Sequence, residues 1–374
     1  MPETTSAITL KTGERLVIKT LHPPLDEYAA RVGCWSAFRE EFLDGRMSDT
    51  LLTPYFVGEI DGEVVGSMGC YTPRDTRDVG LVEFVATADE HRRKGIASAL
   101  LGRLIGWFSA GGGKALFLCT SNPIAGSLYE KHGFWYNVGD GMKYIAPDSQ
   151  DFDETYLAFD GKARVRDATW GDLPRASVLY NHPKPDWTIK DSLTQSFRST
   201  RFERHFLDLM KGAEDCKGAV AVLETPRRRV VGLAAFHRVD SYYEQHVATL
   251  SFRVCPGYFA QATELLDAAA RSAGKLSIGV LQLFVAAADT SQQEIVEAAG
   301  FSREARLRNR LRGEDDWEDI LIYVRHVSDG AATLWETGDY YAGRNRWQRE
   351  RIASRASGAV RSHPKHPPNH PVSE

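Results

Sequence analysis

Paired cysteines are missing from this chain. Its five cysteines, Cys34, Cys70, Cys119, Cys216 and Cys255, are scattered, odd in number and nowhere spaced as CxxC, which argues against a disulfide framework or a zinc site. A large excess of one charge is missing too. The 46 Lys and Arg stand against 50 Asp and Glu, a net −4, so no global pull toward nucleic acid or an anionic membrane exists and any anion site must be local. No stretch approaches eighteen uninterrupted apolar residues, and the opening MPETTSAITLKTGERLVIK has no basic segment followed by an apolar one. Neither a spanning helix nor an export signal is expected. These absences set the expectation of a reducing, cytoplasmic protein with no metal, no nucleic-acid partner and no membrane partner. What is present is ordinary: 43% hydrophobic and 26% charged residues over 374 positions, at roughly 150 residues per domain enough for two domains and a remainder.

Periodicity organises the first half. Residues 14–19 read as a strand, and 26–43 carry apolar residues at helical spacing. TPYFVGEI and EVVGSMGCYT are two strands joined at Asp61-Gly62, a favourable hairpin dipeptide. Residues 80–87 form a further strand, ASALLGRLIGWFSA a helix closed by Gly111 to Gly113, ALFLCT a strand and AGSLYEKHGF a short helix ending at Gly133. From residue 163 the same order of elements returns, ending in a helix before Gly300-Phe301. The expectation is a tandem duplication. After about residue 329 the composition shifts to Arg, Gly, Ser, His and Pro, too little apolar surface to order itself.

HRRKGIASALL, residues 91–101, sets three cations ahead of Gly95 and an apolar helical run. A strand entering a glycine turn and then a helix converges backbone N–H groups and the positive end of the helix dipole, an arrangement that binds phosphate. Gly95 lets the backbone approach an anion, and Ala97 keeps the first turn small. One strand later, SNPIAGSLYEKHGF spaces Asn122, Ala125, Tyr129 and Gly133-Phe134. Taken alone, the first motif reads equally as a solvated basic helix start, and Tyr129 as a packed aromatic. Together the motifs resemble the GNAT-type N-acetyltransferase superfamily, whose pattern is Gln/Arg-x-x-Gly-x-Gly/Ala after one strand and Asn-x-x-Ala-x-x-x-Tyr-x-x-x-Gly-Phe after the next. The resemblance implies acetyl-CoA as co-substrate, no metal, and acyl transfer to a primary amine. It assigns Arg92, Arg93, Lys94, Gly95, Ile96 and Ala97 to the pyrophosphate. Backbone groups of Val85, Ala86 and Thr87 would line the pantetheine. Asn122, with Ala125 on the same helix, would bond the pantetheine or hold the loop. Tyr129 would be the general acid for the departing thiolate, since a phenol with a pKa of about 10 is protonated at neutral pH.

An alkylammonium acceptor, with a pKa of about 10.4, must lose a proton before it attacks. Strand alternation places Glu83 on the face of Val85, opposite Val82 and Phe84, and makes it the candidate base. An amine-attracting Glu83 with no catalytic role is equally open. In the second half, Asp289, Gln292 and Val296 stand where the first has Asn122, Ala125 and Tyr129, and the turn RVCPGYFAQATELL lacks the basic residues and glycine spacing of the first. The expected fold is therefore α/β (α+β): two tandem GNAT-like domains, each a mixed, mostly antiparallel sheet flanked by helices. Residues 1–150 would be catalytic, 151–328 a degenerate domain and 329–374 a tail. Trp35, Phe38 and Phe42 beside Glu40 and Glu41 suit a small cationic or amphipathic amine. A protein acceptor (lysine or N-terminal amine), a non-catalytic acyl-CoA-binding scaffold, and a homodimer all stay open. The basic stretches at 196–209 and 226–231 form no nucleic-acid module.

Overall fold

The computed structural model describes residues 4–25, 44–181, 202–239, 241, 244–312 and 317–327. The helix expected over 26–43, with Trp35, Phe38, Glu40, Glu41 and Phe42, and the tail from 329 lie outside these residues. The first sheet contains β1 (Thr4–Thr9), β2 (Arg15–Leu21), β4 (Tyr55–Ile60), β5 (Glu63–Pro73), β6 (Val79–Thr87), β7 (Ala115–Cys119), β8 (Trp135–Val138) and β9 (Gly141–Ile145). Their order is β1-β2-β4-β5-β6-β7-β9-β8, with the two-residue β3 (Leu51–Leu52) on β5. Asp61 and Gly62 both take positive φ, 51° and 85°, so the dipeptide read as a hairpin signal twists β4 and β5 into register. The strands β4 and β5 are buried almost throughout, which explains their continuous rather than alternating apolar sequence. Helix α1 (Ile96–Ala110) lays Ile96, Leu100, Leu104 and Phe108 on the sheet. Each such fully buried side chain contributes on the order of 2 kcal/mol. Helix α2 (Pro123–Glu130) follows β7, and the short α3 (Phe152–Thr155) follows β9.

The second sheet repeats the plan. Its strands are β10 (Arg164–Asp167), β11 (Gly218–Glu224), β12 (Val230–Arg238), β13 (Val247–Val254), β14 (Val280–Ala286), β15 (Ser302–Arg312) and β16 (Trp317–His326), in the order β10-β11-β12-β13-β14-β16-β15. Helices α4 (Asp172–Tyr180) and α5 (Phe202–Glu214) lie between β10 and β11, α6 (Ala262–Lys275) between β13 and β14, and α7 (Thr290–Ala298) after β14. Each sheet is antiparallel except for one parallel pair, β6 with β7 and β13 with β14. The mixed sheets flanked by helices are the fold class expected from the sequence.

Every residue of α4 is buried, because this helix packs against β5 and β6 of the first sheet and β12 of the second. Two of its residues are charged, and they are paired. Asp172 accepts from both terminal nitrogens of Arg166 (2.6 and 2.7 Å), and Arg175 bonds Asp75 in the β5–β6 turn. Arg228 bonds the other oxygen of Asp75 at 2.6 Å, and Arg166 and Arg164 hold Glu224 at 2.7 Å. Burial alone raises the pKa of Asp75 and Glu224. Hydrogen bonds and charge from their arginine partners outweigh it and hold both below the ordinary value. Carboxyls depressed in the folded state contribute stability above their unfolded pKa and lose it as pH falls through the folded pKa. Denaturant midpoints are therefore expected to fall as pH drops below about 4.5. The Asp75→Asn/Glu224→Gln pair, less stable at neutral pH, should show a flatter acid limb, and an unchanged slope would assign the acid sensitivity elsewhere.

Candidate active site

The strands β6 and β7 are paired only at their beginnings, Val79–Leu81 with Ala115–Phe117. Beyond Leu81 they part, so one backbone edge of β6 faces a gap while its other edge stays bonded to β5. A bulge sharpens the opening. Glu83 pairs with Gly69 and Ala86 with Ser67, leaving one extra residue on β6, and Phe84 takes φ 55°. Gly69 makes this fit: a Cβ there would stand 2.8 Å from the Phe84 ring. Ser67 donates to the Phe84 carbonyl, and the ring packs edge-on against Tyr55 and Tyr71.

The bulge also corrects the expected facing of Glu83. Val82 belongs with the core under α1 and Val85 packs against it, whereas Leu81 and Phe84 belong with the core under α4. Glu83, opposite Gly69, therefore shares the α4 face, away from Val85, because the extra residue resets strand alternation.

In the turn before α1, Arg93 and Gly95 both take left-handed conformations, φ 65° and 94°. No side chain caps the helix, and a Cβ at Gly95 would meet nothing within 4 Å. An uncapped helix N-terminus reached through a left-handed turn presents backbone N–H groups to an open space suited to an anion. Lys94 is directed elsewhere: its Nζ bonds Glu14 at 2.8 Å and lies 3.4 Å from His91 Nδ1. Arg92 pairs with Asp89 and lies 3.4 Å from the Thr87 carbonyl, leaving Arg93 as the cation of the three with an exposed side chain and no such pairing described. Ile96 is buried under the sheet, and Ala97 is half-buried in the first turn.

Asn122 caps α2, its side chain accepting from Ile124 N at 3.0 Å and Ala125 N at 3.5 Å. Tyr129, in the last turn of α2, is 4% exposed and packs on Phe134. Burial, and secondly the charge of Glu83, push its phenol pKa above the ordinary value. Tyr129 thus stays protonated through neutral and mildly alkaline pH. A pair the sequence reading missed ties α1 to the turn after α2: Ser98 Oγ in the first turn of α1 lies 2.7 Å from His132 Nε2. Burial lowers the His132 pKa and favours its neutral ring. Among the described residues no group of three or more His, Cys, Asp or Glu is placed to hold a metal ion, and no helix is long and apolar enough to cross a membrane.

The corresponding turn of the second sheet is built differently. Among residues 255–262 none has positive φ. Tyr258 is buried, accepts from Asp160 N at 3.0 Å and packs on Phe159, while Gln261 bonds both backbone groups of Ala163. The turn is occupied with the segment that joins the sheets. Val296, standing for Tyr129, is fully buried, and Asp289 caps α7. Gly95→Glu is therefore expected to abolish acetyl-CoA binding, by backbone strain and by a carboxylate set where phosphate would approach. Gly257→Glu should leave it unchanged, since a Cβ there makes only an ordinary 3.8 Å contact. Equal losses in calorimetry would contradict the asymmetry.

Solved structures similar to this chain include a phosphinothricin acetyltransferase from Sinorhizobium meliloti in complex with AcCoA (16% identity, TM-score 0.40, 46% of this chain and 92% of that one). An N-acetyltransferase from Staphylococcus aureus Mu50 is 18% identical (TM-score 0.38, 45% and 100%). A ribosomal-protein-alanine N-acetyltransferase from Brucella melitensis is 22% identical (TM-score 0.37, 44% and 99%). No curated protein matches. The sequence itself is more direct: residues 26–134 match the model of the acetyltransferase (GNAT) family, and that span holds the bulged strand, the uncapped helix start and Tyr129. This part of the chain belongs to the GNAT acetyltransferase family.

Proposed function

We propose that residues 1–150 transfer an acetyl group from acetyl-CoA to the primary amine of a small molecule, and that residues 151–328 are a duplicated unit without a cofactor site. The observation that carries this reading is the parting of β6 and β7 beyond Leu81 together with an uncapped helix N-terminus entered through a left-handed turn. Acetyl-CoA would supply the acyl group and a thiol leaving group. The free edge of Val85, Ala86 and Thr87 suits its amides, and the turn from Arg92 to Ala97 its pyrophosphate. Glu83 takes the proton that leaves the amine nitrogen, and the Tyr129 phenol donates to the sulfur. Among the described residues Cys70, Cys119, Cys216 and Cys255 form no disulfide, which suits a reducing cytoplasm.

Calorimetry with acetyl-CoA should give one site per chain. The melting temperature should rise by an amount corresponding to about 2.7 kcal/mol at a hundredfold excess over Kd. Thiol release with amines should separate catalysis from mere binding. Two equivalent sites, or binding without turnover, would overturn the respective halves of the proposal.

A further inference from the structure

Tyr129 ends a helix that cannot hold itself in place. Helix α2 has 8 residues, fewer than the roughly 12–15 an isolated helix needs in water, so its last turn is placed by what it touches. Its start is held by the Asn122 cap. At its end the backbone N–H groups of His132 and Phe134 both donate to the Tyr129 carbonyl, at 2.9 and 3.1 Å. The His132 ring continues from that turn to α1, where Nε2 lies 2.7 Å from Ser98 Oγ and a Cβ at Gly102 would stand 3.8 Å from Cε1. Ser98 and Gly102, a turn apart, share one face of α1. Since Ser98 lies in the first turn of α1, just after Gly95, a single side-chain bond runs from the open helix start to the residue whose N–H holds the Tyr129 carbonyl.

The second unit builds the same turn without that bond. There Gly300 takes φ 78° where Gly133 takes 86°, and Phe301 N donates to the Val296 carbonyl at 3.0 Å. The backbone frame is shared. Aligned on Gly-Phe, Val296 stands for Tyr129 and Ala299 for His132, and a methyl side chain offers no polar atom to a neighbouring helix. The polar tie is present where the phenol is present and absent where it is absent, so folding of the turn does not account for it.

On the reading that acetyl transfer occurs in the first unit, we propose that Ser98 and His132 are positioning residues. Their bond sets the last turn of α2 against the start of α1, and so fixes the Tyr129 phenol relative to a cofactor whose phosphates lie at Gly95. Without it the turn still folds, but the phenol can shift. A displacement of about 1 Å at a reacting group can cost about a hundredfold in rate, whereas one neutral hydrogen bond contributes little to overall stability.

The test uses the full chain with acetyl-CoA and phenethylamine, spermidine or a lysine-containing peptide as acceptor, read as free thiol. Ser98→Ala and His132→Ala should each lower kcat by about ten- to a hundredfold, while the acetyl-CoA affinity by calorimetry and the melting temperature of the free protein stay nearly unchanged. The double variant should lose no more than either single one, because both remove the same bond. His132→Gln, whose amide can reach Ser98, should recover most of the loss. In a Tyr129→Phe background Ser98→Ala should cost nothing further, since the group it positions is gone. Full kcat in both alanine variants, an affinity loss as large as the kcat loss, or an undiminished effect in the Tyr129→Phe background overturns the inference and leaves the proposed function standing. Acetyl-CoA binding without turnover by the unaltered chain overturns both.

Discussion

Tyr129→Phe is expected to lower kcat by about 10² to 10⁴, the scale of a lost general acid, with the affinity for acetyl-CoA and the melting temperature nearly unchanged. The ring makes the packing contacts with Phe134, and the substitution keeps the ring. What disappears is the O–H that burial and the Glu83 charge hold protonated. Because the loss belongs to the transition state, kcat and kcat/KM should fall together. Glu83→Gln should act on a different axis. Its amide cannot accept a proton, so the acidic limb of the rate profile should vanish with it. Full turnover by Tyr129→Phe when chemistry limits the rate would remove Tyr129 from the acid role.

Asp172→Ala should cost about 3–5 kcal/mol, the scale for breaking a buried ion pair by removing one partner. The carboxylate is fully buried and accepts from Arg166 twice, from the Thr169 backbone N–H and from the Thr169 hydroxyl. Its removal leaves Arg166, itself largely buried, with Glu224 as its remaining ion-pair partner and takes a second bond from Arg175. Since α4 packs on both sheets, chemical denaturation should report the loss on the whole molecule. A loss confined to the second unit, with the first unfolding at its original midpoint, would show that the helix does not couple them.

Much of the candidate site was legible before any coordinates. The uncapped turn at Gly95, the Asn122 cap and Tyr129 near the end of a short helix all lie within two stretches whose spacing expresses backbone conformation directly. The recurrence of the element order from residue 163 was legible as well, since equal order of periodic segments requires only local pattern. The strands β1, β8, β9, β15 and β16 went unread. In β1 nearly every residue is exposed, and in β15 five arginines interrupt the apolar alternation, so the pattern of a half-buried strand is diluted.

Other features depend on partners far apart in the chain. Lys94 read as a phosphate ligand, and the structure spends it on Glu14, 80 positions away. Glu83 read as facing with Val85, and a bulge made by the space above Gly69 turned it to the other side. Arg175 and Asp172 sit in a helix that carries an unremarkable amphipathic sequence, and only two sheets closing on it bury them. By itself the sequence determined which residues cap, turn and alternate, because those depend on neighbours within a few positions. The tertiary structure decided which face, which partner and which charge reaches the site, because packing and desolvation act between segments whose separation along the chain carries no record of their distance in space.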